Sequence, residues 1–210
     1  MEFEIALPRA MTGRARFFWV LAIFGVQLLY LPVNRAARGG LALELPWDAY
    51  VPFWPAWALP YLLSLVWWAA SFLWAAWKME DRLFRALVVA TLAVMLSSYA
   101  VYLLLPTYVE RPVLQGEGWA VALTRLIYSH DQVNNAFPSG HTYMTILILL
   151  FWWRWQPGWR WLWFSISVVV ILSTLFTGQH NLLDLVGGIL WGWLGYRFGL
   201  WWVARRSGAG

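Results

Sequence analysis

The chain has no cysteine, so no disulfide and no thiolate metal site can be built from it, and its redox compartment is left unread. Charge is also scarce. Asp, Glu, Lys and Arg make up 12% of the 210 residues, about half the ~25% of a soluble domain. Histidine occurs only three times, and neither a polar linker nor an internal repeat divides the chain. What fills the space is apolar: 61% of the residues are hydrophobic. A soluble fold of this length cannot hide so much apolar surface from water, whereas a bilayer can. The net charge of +5 raises nucleic acid as a partner. In a membrane protein, however, Lys and Arg report topology, and nucleic acid is not expected here.

Apolar runs fall at 17–33, 56–77, 83–105, 142–155, 161–176 and 182–203. A crossing helix needs about 20 residues, fewer where flanking residues snorkel. The fourth and fifth runs are short and need their Trp-rich flanks. The expectation is an all-α integral membrane protein, a six-helix transmembrane bundle in one domain over 1–210. The first run is long for a signal peptide and no small-residue cleavage site follows before Asn34, so it is expected to stay as the first helix. The stretch 41–55 carries Pro46, Pro52 and Pro55 around Trp47 and Trp54. It is too broken to span and is expected at the outer interface.

Arg9, Arg14 and Arg16 precede the first run. Lys78, Arg82 and Arg85 lie between the second and third, Arg154 and Arg160 between the fourth and fifth, and Arg205 and Arg206 after the sixth. In a six-pass bundle all these fall on one side, leaving Arg35, Arg38, Arg111 and Arg125 on the other. The positive-inside bias then places both termini in the cytoplasm and the loops 106–141 and 177–181 together on the outer face. The small, loop-poor chain suggests a prokaryotic inner (plasma) membrane. The nineteen tryptophans are read as interfacial belts: Trp74, Trp77, Trp152 through Trp163, Trp201 and Trp202 inside, Trp47, Trp54 and Trp57 outside. Gly187, Gly188, Gly192, Gly195 and Gly199 give the spacing of close helix packing within one bundle.

The two outer loops hold the chemistry. One ends in Pro138-Ser139-Gly140-His141. Proline suits a helix entry and serine caps it. The first backbone N–H groups then lack internal partners and become anion donors, while Gly140 admits a close oxyanion. The other loop carries His180, with Asp184 four residues later. On a helix beginning near His180 the two share a face. The carboxylate then fixes one ring nitrogen and frees the other as a nucleophile. A solvated rim pair or a pair of metal ligands would use the same residues, but few further metal ligands are visible on that face. Arg111-Pro112 follows the third run. Its guanidinium fork matches phosphate oxygens, although alone it would serve equally as a helix-end anchor. Three strings on one face favour phosphate, with no metal and no other cofactor.

These strings, in this order and spacing, resemble the type 2 phosphatidic acid phosphatase (PAP2) superfamily over about half the chain. The family pattern is Lys-x6-Arg-Pro, Pro-Ser-Gly-His and Ser-Arg-x5-His-x3-Asp. Here Arg111-Pro112, the complete 138–141 string, and Ser173, His180 and Asp184 match it. Leu104 stands where the pattern has lysine and Thr174 where it has the second arginine. Together with Asn135-Ala136-Phe137 before the second string and 173–180, these departures look like the branch of inositol phosphorylceramide synthase and sphingomyelin synthase.

The resemblance implies a six-helix core with His141, His180 and Asp184 catalytic and Arg111, Ser139 and Gly140 on the phosphate. It implies lipid substrates drawn from the bilayer; nothing points to an oligomeric state. His180 attacks phosphorus, Asp184 orients it, and His141 protonates the departing alcohol and then activates the acceptor. Water as acceptor makes a lipid phosphate phosphatase, and a lipid alcohol makes a phosphotransferase. Thr174 and Gln179 are candidates to replace the missing arginine with neutral donors, which suits a phosphodiester and favours transfer. Tyr128, His130, Asp131, Asn134 and Asn135 are headgroup candidates, although a turn-forming loop is the plainer reading. Two rival classes remain. A transporter using the histidines as proton relays needs charges at mid-membrane, where the runs have almost none. An inactive scaffold would tolerate loss of a triad member, yet all three are present.

Overall fold

Proline and capping residues set the helix ends in the computed structural model, which describes residues 10–36 and 39–207. Arg9 and Arg38, both used in the charge argument, lie outside the described residues. Helix α1 (Gly13–Leu28) starts at Thr12, whose side chain accepts from Ala15 N, and stops four residues before Pro32. Proline offers no N–H to the Leu28 carbonyl and its ring crowds it, so the helix restarts as α2 (Tyr30–Ala36). The run expected as a single helix is therefore two, end to end. Next come α3 (Ala58–Lys78) and α4 (Asp81–Leu104), the latter closed by Pro106. A short amphipathic helix that the sequence reading did not foresee, α5 (Trp119–His130), precedes α6 (Gly140–Trp155), α7 (Arg160–Phe176) and α8 (Leu182–Ser207).

The fold is all-α, and four segments are long and apolar enough to cross a membrane: Gly13–Ala36, Pro55–Lys78, Asp81–Leu104 and Pro157–Phe176. The distribution of side chains agrees. Leucine, valine and tryptophan cover the outer faces, with Leu21 68% and Val66 65% exposed, while hydroxyls sit inside. Thr91, Ser167 and Ser173 are buried and donate to the helix carbonyls of Leu87, Trp163 and Val170. That pattern satisfies polar groups without water, as a bilayer demands.

Helix α8 lies between α4 and α6. Its glycines make the approach possible. A Cβ on Gly192 would stand 2.8 Å from Tyr143 O of α6, and one on Gly199 would run into Ala86 O of α4. The tryptophans divide differently from a simple belt. Trp77, Trp159 and Trp161 are exposed, but Trp152 is fully buried and packs with Trp74, Trp155 and Trp163. A helix end tucked under its neighbours gives an indole no interface to occupy.

The two ends of the bundle differ in character. At one, a groove of about 370 Å³ is lined by Glu80, Arg82, Arg154, Val203 and Ala204. There Arg16 is buried against Asp81, with Nη2 2.6 Å from Oδ1, and also donates to Ala76 O and Met79 O. It ties α1 to the α3–α4 junction, a role beyond setting topology. The other end is capped by irregular chain. Strand β1 (Leu41–Ala42) pairs in parallel with β2 (Thr107–Tyr108), and Tyr108 bridges to Asn134. The stretch 41–55 forms only these residues and the short turns Asp48–Tyr50 and Pro55–Trp57.

Candidate active site

Pro138-Ser139 starts α6 as its composition requires. Ser139 Oγ accepts from Thr142 N at 3.3 Å and from Thr142 Oγ1 at 3.0 Å, which leaves its own proton free to donate. Ser139 N donates to Asp184 O and Tyr143 N to Ser139 O. The N–H groups of Gly140 and His141 take no partner among the described residues, so two helix N-terminal donors stay open. Tyr102 OH donates to Pro138 O at 2.6 Å and holds this turn to α4.

His141 is stacked on Tyr61, with ring centroids 4.1 Å apart, and touches Trp68 at 4.9 Å. Its Nε2 is buried without a protein partner. His180 precedes α8 rather than riding on it, because the helix begins at Leu182. The shared helix face expected for His180 and Asp184 is thus a loop end meeting a first-turn side chain. His180 Nδ1 lies 3.6 Å from Asp184 Oδ2, and the same oxygen accepts from Asn181 N at 2.8 Å. Asp184 is fully buried and its Oδ1 has no partner.

All three histidines, His130, His141 and His180, line one cavity of about 420 Å³. Gly140, Asp131, Asn135 and Gln27 share its wall with Tyr30, Tyr61 and Tyr102, and Leu31, Leu62, Leu65 and Leu126 make most of the rest apolar. Asp131 accepts from Tyr30 OH at 2.8 Å and from Tyr61 OH at 3.4 Å. Burial raises its carboxyl above the ordinary range, against the pull of the Tyr30 hydroxyl and Arg111. Asn135 is 2% exposed, holds φ at +64°, and has both amide atoms unpartnered. Asparagine tolerates that backbone better than most residues, and its cost is usually borne at working sites.

Arg111 stands beside the cavity and not in its wall. Nη1 donates to Asp131 O, Nη2 to Gln132 O and Gln179 Oε1, and the guanidinium lies 4.5 Å over the Tyr128 ring. Only Nε is unpartnered. Gln179 keeps Nε2 free. Thr174 offers nothing to a ligand through its hydroxyl, which donates to Ile171 O; its carbonyl instead accepts from Gln179 N and His180 N. A threonine late in a helix bonds back to the preceding turn unless something better is in reach. Tyr128 and His130 belong to α5 and not to a loop, and Tyr128 OH donates to Thr177 O. Leu104, at the position of the family lysine, is 78% exposed.

A family model for the PAP2 superfamily matches residues 86–207, more than half of the chain. The chain belongs to the PAP2 superfamily. PAP2 proteins are phosphatases or phosphotransferases acting on lipid phosphates, and this chain is an enzyme of that general kind. No curated protein and no solved structure matches it significantly. The PAP2 match starts at residue 86, yet three site features come from before it: Tyr61 and Trp68 on His141, Tyr30 on Asp131, and Asp48, which accepts from Leu182 N at 2.7 Å. Sequence reasoning missed all of them. An aromatic in an apolar run and an acid in a Pro/Trp-rich stretch carry no spacing signal, and only the fold brings them to the histidines.

Proposed function

We propose that this PAP2 protein is a lipid phosphotransferase that moves a phospho-headgroup from a phospholipid to a lipid alcohol through a phosphohistidine. With Nδ1 turned to Asp184, His180 presents Nε2 as nucleophile. Nε2 bonds to phosphorus as the bond to the donor's glycerol oxygen breaks, and protonated His141 gives that oxygen its proton. Neutral His141 then takes the proton of the acceptor hydroxyl. The hydroxyl oxygen bonds to phosphorus, and the P–N bond breaks to restore His180. Two displacements replace one, and the headgroup never leaves the site. The open N–H groups of Gly140 and His141, on the cavity wall, are the donors for charge developing on the phosphoryl oxygens, and the Ser139 hydroxyl, Arg111 Nε and Gln179 Nε2 are spare donors just behind that wall.

The observation that carries the transferase reading is the charge of the cavity. A half-buried carboxyl, Asp131, sits in its wall, Arg111 beside it is held on main-chain and amide oxygens, and the family's other two cationic positions are Leu104 and Thr174. A monoester dianion would meet little compensation there, whereas a diester carries one charge less. The apolar remainder of the wall suits a lipid acceptor. In this reading the bundle crosses six times, with both termini and the Arg82–Arg154 groove in the cytoplasm of a prokaryote and the histidines at the outer face. Purified protein given labelled phosphatidic acid and, separately, phosphatidylinositol with ceramide tests the reading. A new phospholipid is expected. Release of inorganic phosphate from phosphatidic acid alone would make the enzyme a phosphatase, and undiminished turnover by His180→Ala would end the phosphohistidine.

A further inference from the structure

The segment that carries His180 is held from outside the motif, and one residue does so at the decisive place. Helix α8 opens with two N–H groups pointing back along the chain, those of Asn181 and Leu182. Asp184 Oδ2 takes the first at 2.8 Å and Asp48 Oδ1 takes the second at 2.7 Å. Asp48 is itself fixed, because its Oδ2 accepts from Leu45 N at 2.7 Å. The same stretch docks again a few residues on: Trp54 N donates to Phe176 O, and the Trp54 and Trp57 rings each pack on Phe176 at 4.8 Å. The residues around His180 are thus pinned at Phe176 and at Leu182 by a distant segment that lies before the start of the family match.

We infer that Asp48 is a positioning residue for His180, acting through the first turn of α8. Orphan N–H groups at a helix start attract the nearest carboxylate. With Asp48 in place, Leu182 N is satisfied, and Asp184 serves Asn181 N while its Oδ2 still faces His180 Nδ1 at 3.6 Å. Without Asp48 the Leu182 donor competes for Asp184, and the carboxylate swings along the helix axis away from the imidazole. His180 Nδ1, which makes no hydrogen bond as it stands, then loses the carboxylate that faces it and with it its aim. Substrate contacts do not change, because Asp48 does not line the cavity. The cost falls on the chemical step, where a shift of about 1 Å is worth about a hundredfold.

The inference rests on His180 as nucleophile, and two variants with two readouts separate it from that reading. Full-length Asp48→Ala, Asp48→Asn and His180→Ala are assayed with labelled phosphatidic acid and with phosphatidylinositol plus ceramide, and their amide exchange is followed by mass spectrometry. Asp48→Ala is expected to lower kcat about 10- to 100-fold with KM within about threefold. Asp48→Asn, which keeps an acceptor oxygen for Leu182 N, is expected to recover most of kcat. Exchange in Asp48→Ala should rise across 177–186 and not at the Arg16–Asp81 end. Wild-type kcat or unchanged exchange at 177–186 in Asp48→Ala overturns the inference, and so does equal loss in the Ala and Asn variants. If His180→Ala keeps turning over lipid, the nucleophile assignment fails, while the exchange data still decide whether Asp48 holds the segment.

Discussion

Replacing Asp184 by Asn tests how much of the catalysis is charge and how much is geometry. Asp184 Oδ2 does two things at once: it accepts from Asn181 N at 2.8 Å and faces His180 Nδ1 at 3.6 Å. An asparagine amide has one oxygen to place there. Leaving Asn181 N unsatisfied beside a buried side chain costs about 1–3 kcal/mol, so the oxygen takes the Oδ2 position and the amide nitrogen the unpartnered Oδ1 position. The variant therefore keeps the helix start and the acceptor and loses only the charge. At 3.6 Å and an effective dielectric of about 20, a full charge pair is worth about 4–5 kcal/mol. The imidazole carries part of its final charge in the transition state, so about half of that, or ~50-fold, is the lower expectation and ~10³-fold the upper. Rapid quench of the acid-labile phosphoprotein reads the first displacement directly, and thermal unfolding should move little. A burst rate in Asp184→Asn equal to wild type would refute the assignment of Asp184 as the group that stabilises the imidazolium.

Four other outcomes follow from the same contacts. Arg16→Met should destabilise the protein in detergent by about 3 kcal/mol by chemical unfolding, because it strands Asp81 and the carbonyls of Ala76 and Met79; a change under ~0.5 kcal/mol would make the contact ornamental. Gln179→Ala should cut kcat/KM about tenfold, since Arg111 Nη2 loses its 2.7 Å amide partner beside His180. Asp131 is raised in the folded state by burial, so it contributes stability that is present below the ordinary carboxylate range and lost as pH rises through the raised value. Asp131→Asn should therefore flatten the fall in unfolding temperature between acid and neutral pH, and identical slopes would contradict this. The absence of native cysteine makes topology directly readable: in intact cells Gln115→Cys should react with a membrane-impermeant maleimide and Gly158→Cys should not, and the reverse pattern would invert the bundle.

Helices were legible wherever length and apolar composition agree, as in α3, α4 and α7, because a bilayer leaves few other ways to bury such runs. The breaks were less so. Pro32 splits the first run, and α5 was invisible because a twelve-residue amphipathic helix resembles any polar-apolar loop. The candidate groups stand out in the sequence for a different reason: histidines are few, and an acid follows one of them by four positions in a chain poor in charge. Their supports do not. Tyr61 under His141 and Asp48 on Leu182 N are unremarkable in sequence, and 134 positions separate the second pair. Thr174 shows the converse error, a polar side chain at a motif position whose hydroxyl serves its own helix.

The state of Arg111 bears on the proposed preference for transfer over hydrolysis. A guanidinium that is to clamp a dianion should offer its fork, two parallel donors at charge-assisted strength. Here both Nη atoms are engaged by Asp131 O, Gln132 O and Gln179 Oε1, and those bonds join the loop before α6 to the loop before α8. Freeing the fork for substrate would strand two main-chain carbonyls and an amide, each at about 1–3 kcal/mol if buried. The lower-cost arrangement keeps Arg111 as the tie between the two loops and leaves Nε as its one unpartnered nitrogen, beside the neutral donors of Gly140, His141 and Gln179. Such a set is matched to one negative charge and under-matched to two. The engaged fork, the lost cations at 104 and 174, and the carboxylate of Asp131 in the cavity wall all act in one direction. In the proposed transfer reading they would favour phosphodiesters through electrostatics, with His141, His180 and Asp184 as the proposed reacting groups.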